Sequence, residues 1–141
     1  MKKIYSLLVI CLINFAQSQT FEKLILTQNF ELIRANTFFI EKTDDDKLNI
    51  QKTINDALFD YNFSIESDKM KANYVVSFSY KYRLNNGCEG RVIKRMEGRI
   101  IERTSNNRII ATFIFSQNQF EGKCSREIIY ALIKKLNDIA E

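Results

Sequence analysis

Few side chains in this chain can do chemistry, and their types restrict that chemistry sharply. None of the 141 residues is histidine, which excludes Ser-His-Asp and Cys-His catalysis, His-ligated zinc and histidine proton shuttling. The three cysteines, Cys11, Cys88 and Cys124, are too few for a four-ligand zinc site. No serine has a lysine three residues later, so the Ser-x-x-Lys nucleophile pattern is absent. Tyr130 and Lys134 have a reductase-like spacing, but no glycine-rich phosphate loop accompanies them and both lie on an amphipathic run. Glu97 and Glu102 fall on opposite faces of one expected strand, so they cannot form the carboxylate pair of a glycoside hydrolase. Asp44, Asp45 and Asp46 could attract calcium, but Thr43 to Ile54 lacks the glycine turn and closing glutamate of an EF-hand loop. The expectation is a protein that is not an enzyme and that uses no cofactor and no metal.

Two constellations remain. Cys88 and Cys124 are an even pair, which in an exported chain suggests a disulfide. Arg91, Arg95, Arg99 and Arg103 share one face of an expected strand with Ile93, Glu97 and Ile101. Arg108, Ile110, Thr112, Ile114 and Ser116 extend that face onto the next strand. Arginine mixed with exposed isoleucine suits a protein partner surface. The same cations suit anionic glycans or lipid headgroups, and a plain solvated face, with arginine stems covering the isoleucines, is the third alternative. Nucleic acid is not expected: Phe113 and Phe115, the aromatics available for stacking, fall on the opposite face.

Residues 1–18 read as a secretory signal peptide. Lys2 and Lys3 precede an apolar run from Ile4 to Ala16, and Ala16-Gln17-Ser18 is a small-x-small cleavage site leaving Gln19 as the new N-terminus. The run is shorter than the ~20 residues of a membrane span. Cys11 is not a good lipidation site, because Ile10 stands where a small residue is wanted. Association with a membrane is therefore expected only if the leader stays attached or Cys11 is lipidated, and the location is periplasmic or secreted. Removing Lys2 and Lys3 from the 21 basic residues leaves 19 against 17 acidic ones, close to neutrality. That charge gives no general drive toward nucleic acid or anionic membranes.

A single globular domain over 19–141 must position these residues. Phe21 to Thr27 and Asn36 to Lys42 read as strands. Thr43 fits a helix N-cap with Asp46 three residues on. Leu48, Ile50, Ile54, Ala57, Leu58 and Tyr61 then give a helix over about 44–61, with Asn62 as a left-handed cap. Tyr74 to Arg83 alternates aromatic and polar residues, as a strand with one packed face does. Asn85-Asn86-Gly87 turns the chain, 91–103 forms a strand, Thr104 to Asn107 turns it again, and Ile109 to Ser116 returns. Ser125 caps a last helix reaching Ile139, with Ile128, Ile129, Leu132, Ile133 and Leu136 on its stripe. The strand-helix-strand-strand-strand-helix order predicts an α+β two-layer sandwich, a mixed sheet of four or five strands with both helices on one face.

Matching faces sets the register. Ile100 opposite Ala111, Gly98 opposite Phe113 and Met96 opposite Phe115 puts large against small on one side. The preceding hairpin works with Phe78 opposite Met96 and Val76 opposite Gly98. In these registers Cys124 lies within a residue of the position facing Cys88, which predicts the bridge.

The stretches Phe30-Glu31-Leu32 to Thr37-Phe38-Phe39-Ile40, Leu58 to Phe63, Lys71-Ala72-Asn73-Tyr74-Val75-Val76, and Ile100-Ile101-Glu102-Arg103 to Ile109-Ile110-Ala111 carry a resemblance. The pattern resembles a bacterial cell-envelope domain of unknown function with lipoprotein members. More distantly, it is similar to the amino-terminal domain of the translocation protein TolB and to curli-secretion-type lipoproteins. Asn62 stands where such domains carry glycine, and Asn73 where they carry aspartate. The resemblance implies a non-enzymatic envelope protein and transfers no site residue.

Overall fold

The computed structural model describes residues 21–26, 32–103, 106–118 and 122–140. The leader with its Ser18 cleavage point, Cys11, and Thr104-Ser105 of the second turn lie outside the described residues. The elements are β1 (Phe21–Leu26), β2 (Thr37–Ile40), α1 (Ile50–Asp60), β3 (Ser64–Ile65), β4 (Tyr74–Leu84), β5 (Arg91–Glu102), β6 (Arg108–Ser116) and α2 (Ser125–Ile139). The strands form one mixed sheet in the order β1-β6-β5-β4-β2-β3, with both helices on one side. This is the expected two-layer sandwich. The sixth strand is β3, two residues long and paired parallel to Thr37 and Phe38.

Phe38, Ile40, Tyr74, Val76, Phe78, Met96, Ile100, Phe113 and Phe115 line the core side of the sheet. Ile50, Ile54 and Leu58 of α1 meet them, as do Ile128, Ile129, Ile133 and Leu136 of α2. Burying apolar area of this kind contributes roughly 25 cal/mol per Å².

The expected β5–β6 register is present: Met96 faces Phe115, Gly98 faces Phe113 and Ile100 faces Ala111. It then shifts, Ile101 facing Ile109, so that Ile110 is an extra residue on β6. The β4–β5 register differs from expectation by two, with Phe78 opposite Gly98 and Val76 opposite Ile100. An even slide keeps every side chain on its face. Its cause is a longer turn. Asn85 N–H reaches the Gly90 carbonyl at 3.0 Å across six residues, and Cys88 and Glu89 both adopt left-handed backbone inside it. A bulge between Lys81 and Tyr82 leaves Lys94 unpaired on β5 and adds the remaining step.

Helix ends differ too. α1 begins at Ile50, not near 44, and Thr43 is not its cap. Residues 44–49 form turns instead, with Lys47 N–H donating to Asp45 O and Asn49 N–H to Asp46 O. Asp46 still caps the helix: its two carboxylate oxygens accept Ile50 N–H and Gln51 N–H, each at 2.8 Å. Asn62 is left-handed, as expected, with φ 60°. Phe63 N–H to Leu58 O and Asn62 N–H to Phe59 O complete a Schellman ending. In α2 the cap is Cys124 and not Ser125, and the Glu127 carboxylate accepts Cys124 N–H at 2.8 Å.

Candidate contact surface on the open sheet face

With both helices on one side, the other side of the sheet is where a contact surface can lie. Alternation through the paired registers places Ser77, Ser79 and Lys81 of β4 on it. Arg95, Glu97, Arg99 and Ile101 of β5 lie there, and so do Ile109, Thr112 and Ile114 of β6. Ser77, Ser79, Glu97, Arg99, Ile109, Thr112 and Ile114 line a shallow open trough of about 510 Å³ floored by Gly98. Gly98 is required there. A Cβ on it would overlap the Phe113 ring on the core side and come within 2.6 Å of the Ser77 carbonyl. The exposed apolar groups of the face are Ile109 at 41% and Ile114 at 39%.

The sequence-derived surface residues separate into three sets. Arg95 and Arg99 are exposed on this face with Ile101 half-buried between the strands, and Arg95 pairs with Glu97 at 3.2 Å. Arg103 lies at the end of β5, where its guanidinium donates to the Lys69 carbonyl and contacts Met70 Sδ at 3.5 Å. Arg91, Arg108 and Ile110 are not on the face. Ile110 is fully buried in the core, because the bulge opposite Ile100 and Ile101 turns it inward and leaves Ile109 outward. Arg108 pairs in register with Glu102 and bonds its carboxylate at 3.0 Å, on the helix side. Arg91 lies over the Tyr82 ring, 5.5 Å from its centroid, on the same side as the core residue Ile93. The bulge at Lys94 flips the alternation there and also sends Ile93 into the core.

Part of the outer face is already covered. Val75 has outward parity, facing Ile101, yet is only 2% exposed. The loop 66–73 is tied to this part of the sheet by Lys69 to Glu41 after β2 and by Arg103 to the Lys69 carbonyl. The Lys69 hydrogen bond, with a smaller contribution from Ser77 and the Arg99 charge, holds the Glu41 carboxyl below its ordinary value against some burial. The sequence carried a signal for this cover: Tyr74-Val75-Val76 is apolar on both faces, the mark of a strand covered on both sides.

Cys88 and Cys124 are bonded, with Cα atoms 5.3 Å apart across 36 positions of sequence. The bridge ties the β4–β5 turn to the start of α2. No cluster of three or more His, Cys, Asp or Glu able to hold a metal occurs among the described residues. No helix among them is long and apolar enough to cross a membrane.

The fold and face together define a small α+β sandwich with one open, arginine-bearing sheet surface. Solved structures share this fold. A DUF4136 family protein from Bacteroides thetaiotaomicron superposes with a TM-score of 0.63 at 7% identity, over 86% of this chain and 97% of that one. Two PelC dodecamers from Paraburkholderia phytofirmans, one of a variant, give TM-scores of 0.58 and 0.56, both at 15% identity. They cover 83% and 79% of this chain and 99% and 96% of theirs. No family model and no curated protein matches the chain.

Proposed function

We propose that the protein is a non-enzymatic, exported envelope module that binds a partner protein through the outer sheet face. One observation carries the reading: Ile109 and Ile114 stay exposed beside Arg95 and Arg99 on a rigid central pair of strands. Arginine around an apolar centre is the composition of a contact patch, and strands position it better than loops do. The fold shared with PelC dodecamers supports an assembly role. Export rests on the leader pattern of residues 1–18 and the disulfide.

The second reading is a binder of anionic glycans or lipid headgroups on the same face, favoured by Arg95, Arg99 and Lys81 together. Crosslinking in intact envelopes tests both. Arg95→Glu with Arg99→Glu leaves stability within about 0.5 kcal/mol, as surface changes do, and abolishes partner capture. Capture by the partner survives raised salt, whereas polyanion binding falls steeply with it. Unchanged capture by the double variant overturns the face as the site. Mass spectrometry of the exported chain gives an N-terminus near Gln19 without acyl chains; an acylated Cys11 overturns the cleavage reading.

A further inference from the structure

The open sheet face holds more positive charge than it neutralises. The outward positions of β4 and β5 carry Lys81, Arg95 and Arg99, and the bulge turns Lys94 to the same side. All four are exposed, and Glu97 is the one carboxylate at the outward positions of β4, β5 and β6. Glu97 is already paired with Arg95 at 3.2 Å. The acids that approach from neighbouring elements are engaged too, Glu41 with Lys69 and Asp68 with Lys71. Arg99 acts on Glu41 only as a more distant charge. Glu66 follows β3, at the far edge of the sheet. The β6–α2 loop contributes Lys123 and Glu121, which cancel. Among the described residues, Lys81, Lys94 and Arg99 have no carboxylate within ion-pair distance.

Two of these cations oppose each other. Lys81 pairs in register with Arg95, and like charges directly across a strand pair are unfavourable. Beside them is an open recess of about 220 Å³ lined by Ser79, Tyr80, Lys81, Arg95 and Glu97. A carboxylate entering it meets an ammonium, a guanidinium and the Ser79 hydroxyl together. Arg99 stands four residues along β5 from Arg95, about 13 Å away. On the neighbouring strand, Ile114 lies opposite Glu97, and Ile109 lies opposite Ile101. Cations thus follow one side of the trough and exposed isoleucines the other.

We infer that the partner presents an acidic amphipathic helix to this face. One carboxylate enters the recess between Lys81 and Arg95, a second meets Arg99, and apolar side chains of the helix lie on Ile109 and Ile114. The inference rests on the outer face being the partner surface. The trough spans β4 to β6, about 10 Å, which is the width of one helix. Residues two turns apart on a helix are separated by about 11 Å, and long side chains extend that to the arginine spacing. A helix here would give the bare sheet face the cover that the other face already has. A glycan gains from the cations and nothing from the isoleucines, and a neutral apolar helix leaves the cations unpaired.

Photo-crosslinking in intact envelopes tests the inference. Benzoylphenylalanine is placed at Ile114 of the full-length chain in its own host cells, and the crosslinked partner peptide is read by mass spectrometry. The expected peptide has Asp or Glu two helical turns apart, with apolar residues between them. Lys81→Glu and Arg99→Glu, each made alone, lower the crosslink yield roughly fivefold. Lysine in place of the partner's acid restores the yield of Lys81→Glu. The Lys81→Glu chain keeps its melting temperature, because opposite charges then face each other across the strand pair. Raised salt slows capture without abolishing it, since the isoleucine contact is not screened. A crosslinked peptide without acidic residues, or a charge swap that fails to restore the yield, overturns the inference and leaves the partner face standing. No protein crosslink from Ile114 overturns both.

Discussion

Asp46 and Tyr80 show how much a single contact decides at the residue scale. Asp46 accepts two α1 amide protons and, at 2.9 Å, the Tyr80 hydroxyl, while that hydroxyl accepts Leu48 N–H at 3.0 Å. Tyr80→Phe leaves Leu48 N–H without its acceptor, so a cost of about 1–3 kcal/mol is expected in urea unfolding. Burial, aided by the Asp46 carboxylate, pushes the Tyr80 phenol up to about 12. The folded state thus holds this proton more tightly than the unfolded chain. The resulting stability is fully present below the ordinary phenol value of about 10, and is lost as pH rises from there through about 12. Tyr80→Phe should flatten that alkaline limb; an unchanged limb would assign it to another tyrosine. Local pattern led to Thr43 as the cap because capping rules look at adjacent residues. Here the capping carboxylate is fixed by a residue 34 positions away. Arg34 was invisible for the same reason. Its guanidinium lies over Phe63 and donates to the Tyr61 carbonyl at 3.0 Å and to Asn137 Oδ1 at 2.9 Å, clamping the C-terminal ends of both helices.

At the scale of elements, the faces were legible and the irregularities were not. Alternation around Met96, Gly98 and Ile100 yields the β5–β6 register, because any odd slip would carry Arg99 to the core side. A bulge adds a residue without altering composition, so Ile93 and Ile110 read as outward and lie inward. Gly98 is the residue on which these strands depend. Gly98→Ala would press its methyl into Phe113 and the Ser77 carbonyl, and overpacking of this kind costs about 1–3 kcal/mol. Pairing it with Phe113→Leu should recover part of the loss in a double-mutant cycle of chemical unfolding. Strictly additive losses would mean that the ring does not limit the site.

For the whole molecule, the Cys88–Cys124 bridge joins the far end of the sheet to the second helix. Replacing both cysteines by alanine opens a loop for which chain entropy alone gives about 4 kcal/mol. A fall in melting temperature with the fold retained is the expected result, read by calorimetry of the oxidised parent against the variant. The bridge was foreseeable because the two cysteines sit at positions that the strand pairing brings near each other. The order of the sheet was less so. β1 lies at its edge against β6, and Phe21 pairing with Ser116 depends on contacts no local motif announces.

That edge position has a consequence for the order in which the chain can be assembled. A protein that emerges N-terminus first releases β1 early, but its partner β6 comes nearly last. The three strands β4, β5 and β6 are joined by successive turns and can pair as soon as they emerge, whereas β1 must wait for its strand partner with its backbone groups bonded only to water. Pulse-labelled hydrogen exchange during refolding should protect the amides of the three-stranded meander first and those of 21–26 last. Simultaneous protection would mean that the sheet closes in one step. In the sequential case the first strand is the one most exposed to wrong pairing, so a holding chaperone acting on this protein would have its task concentrated on residues 21–26.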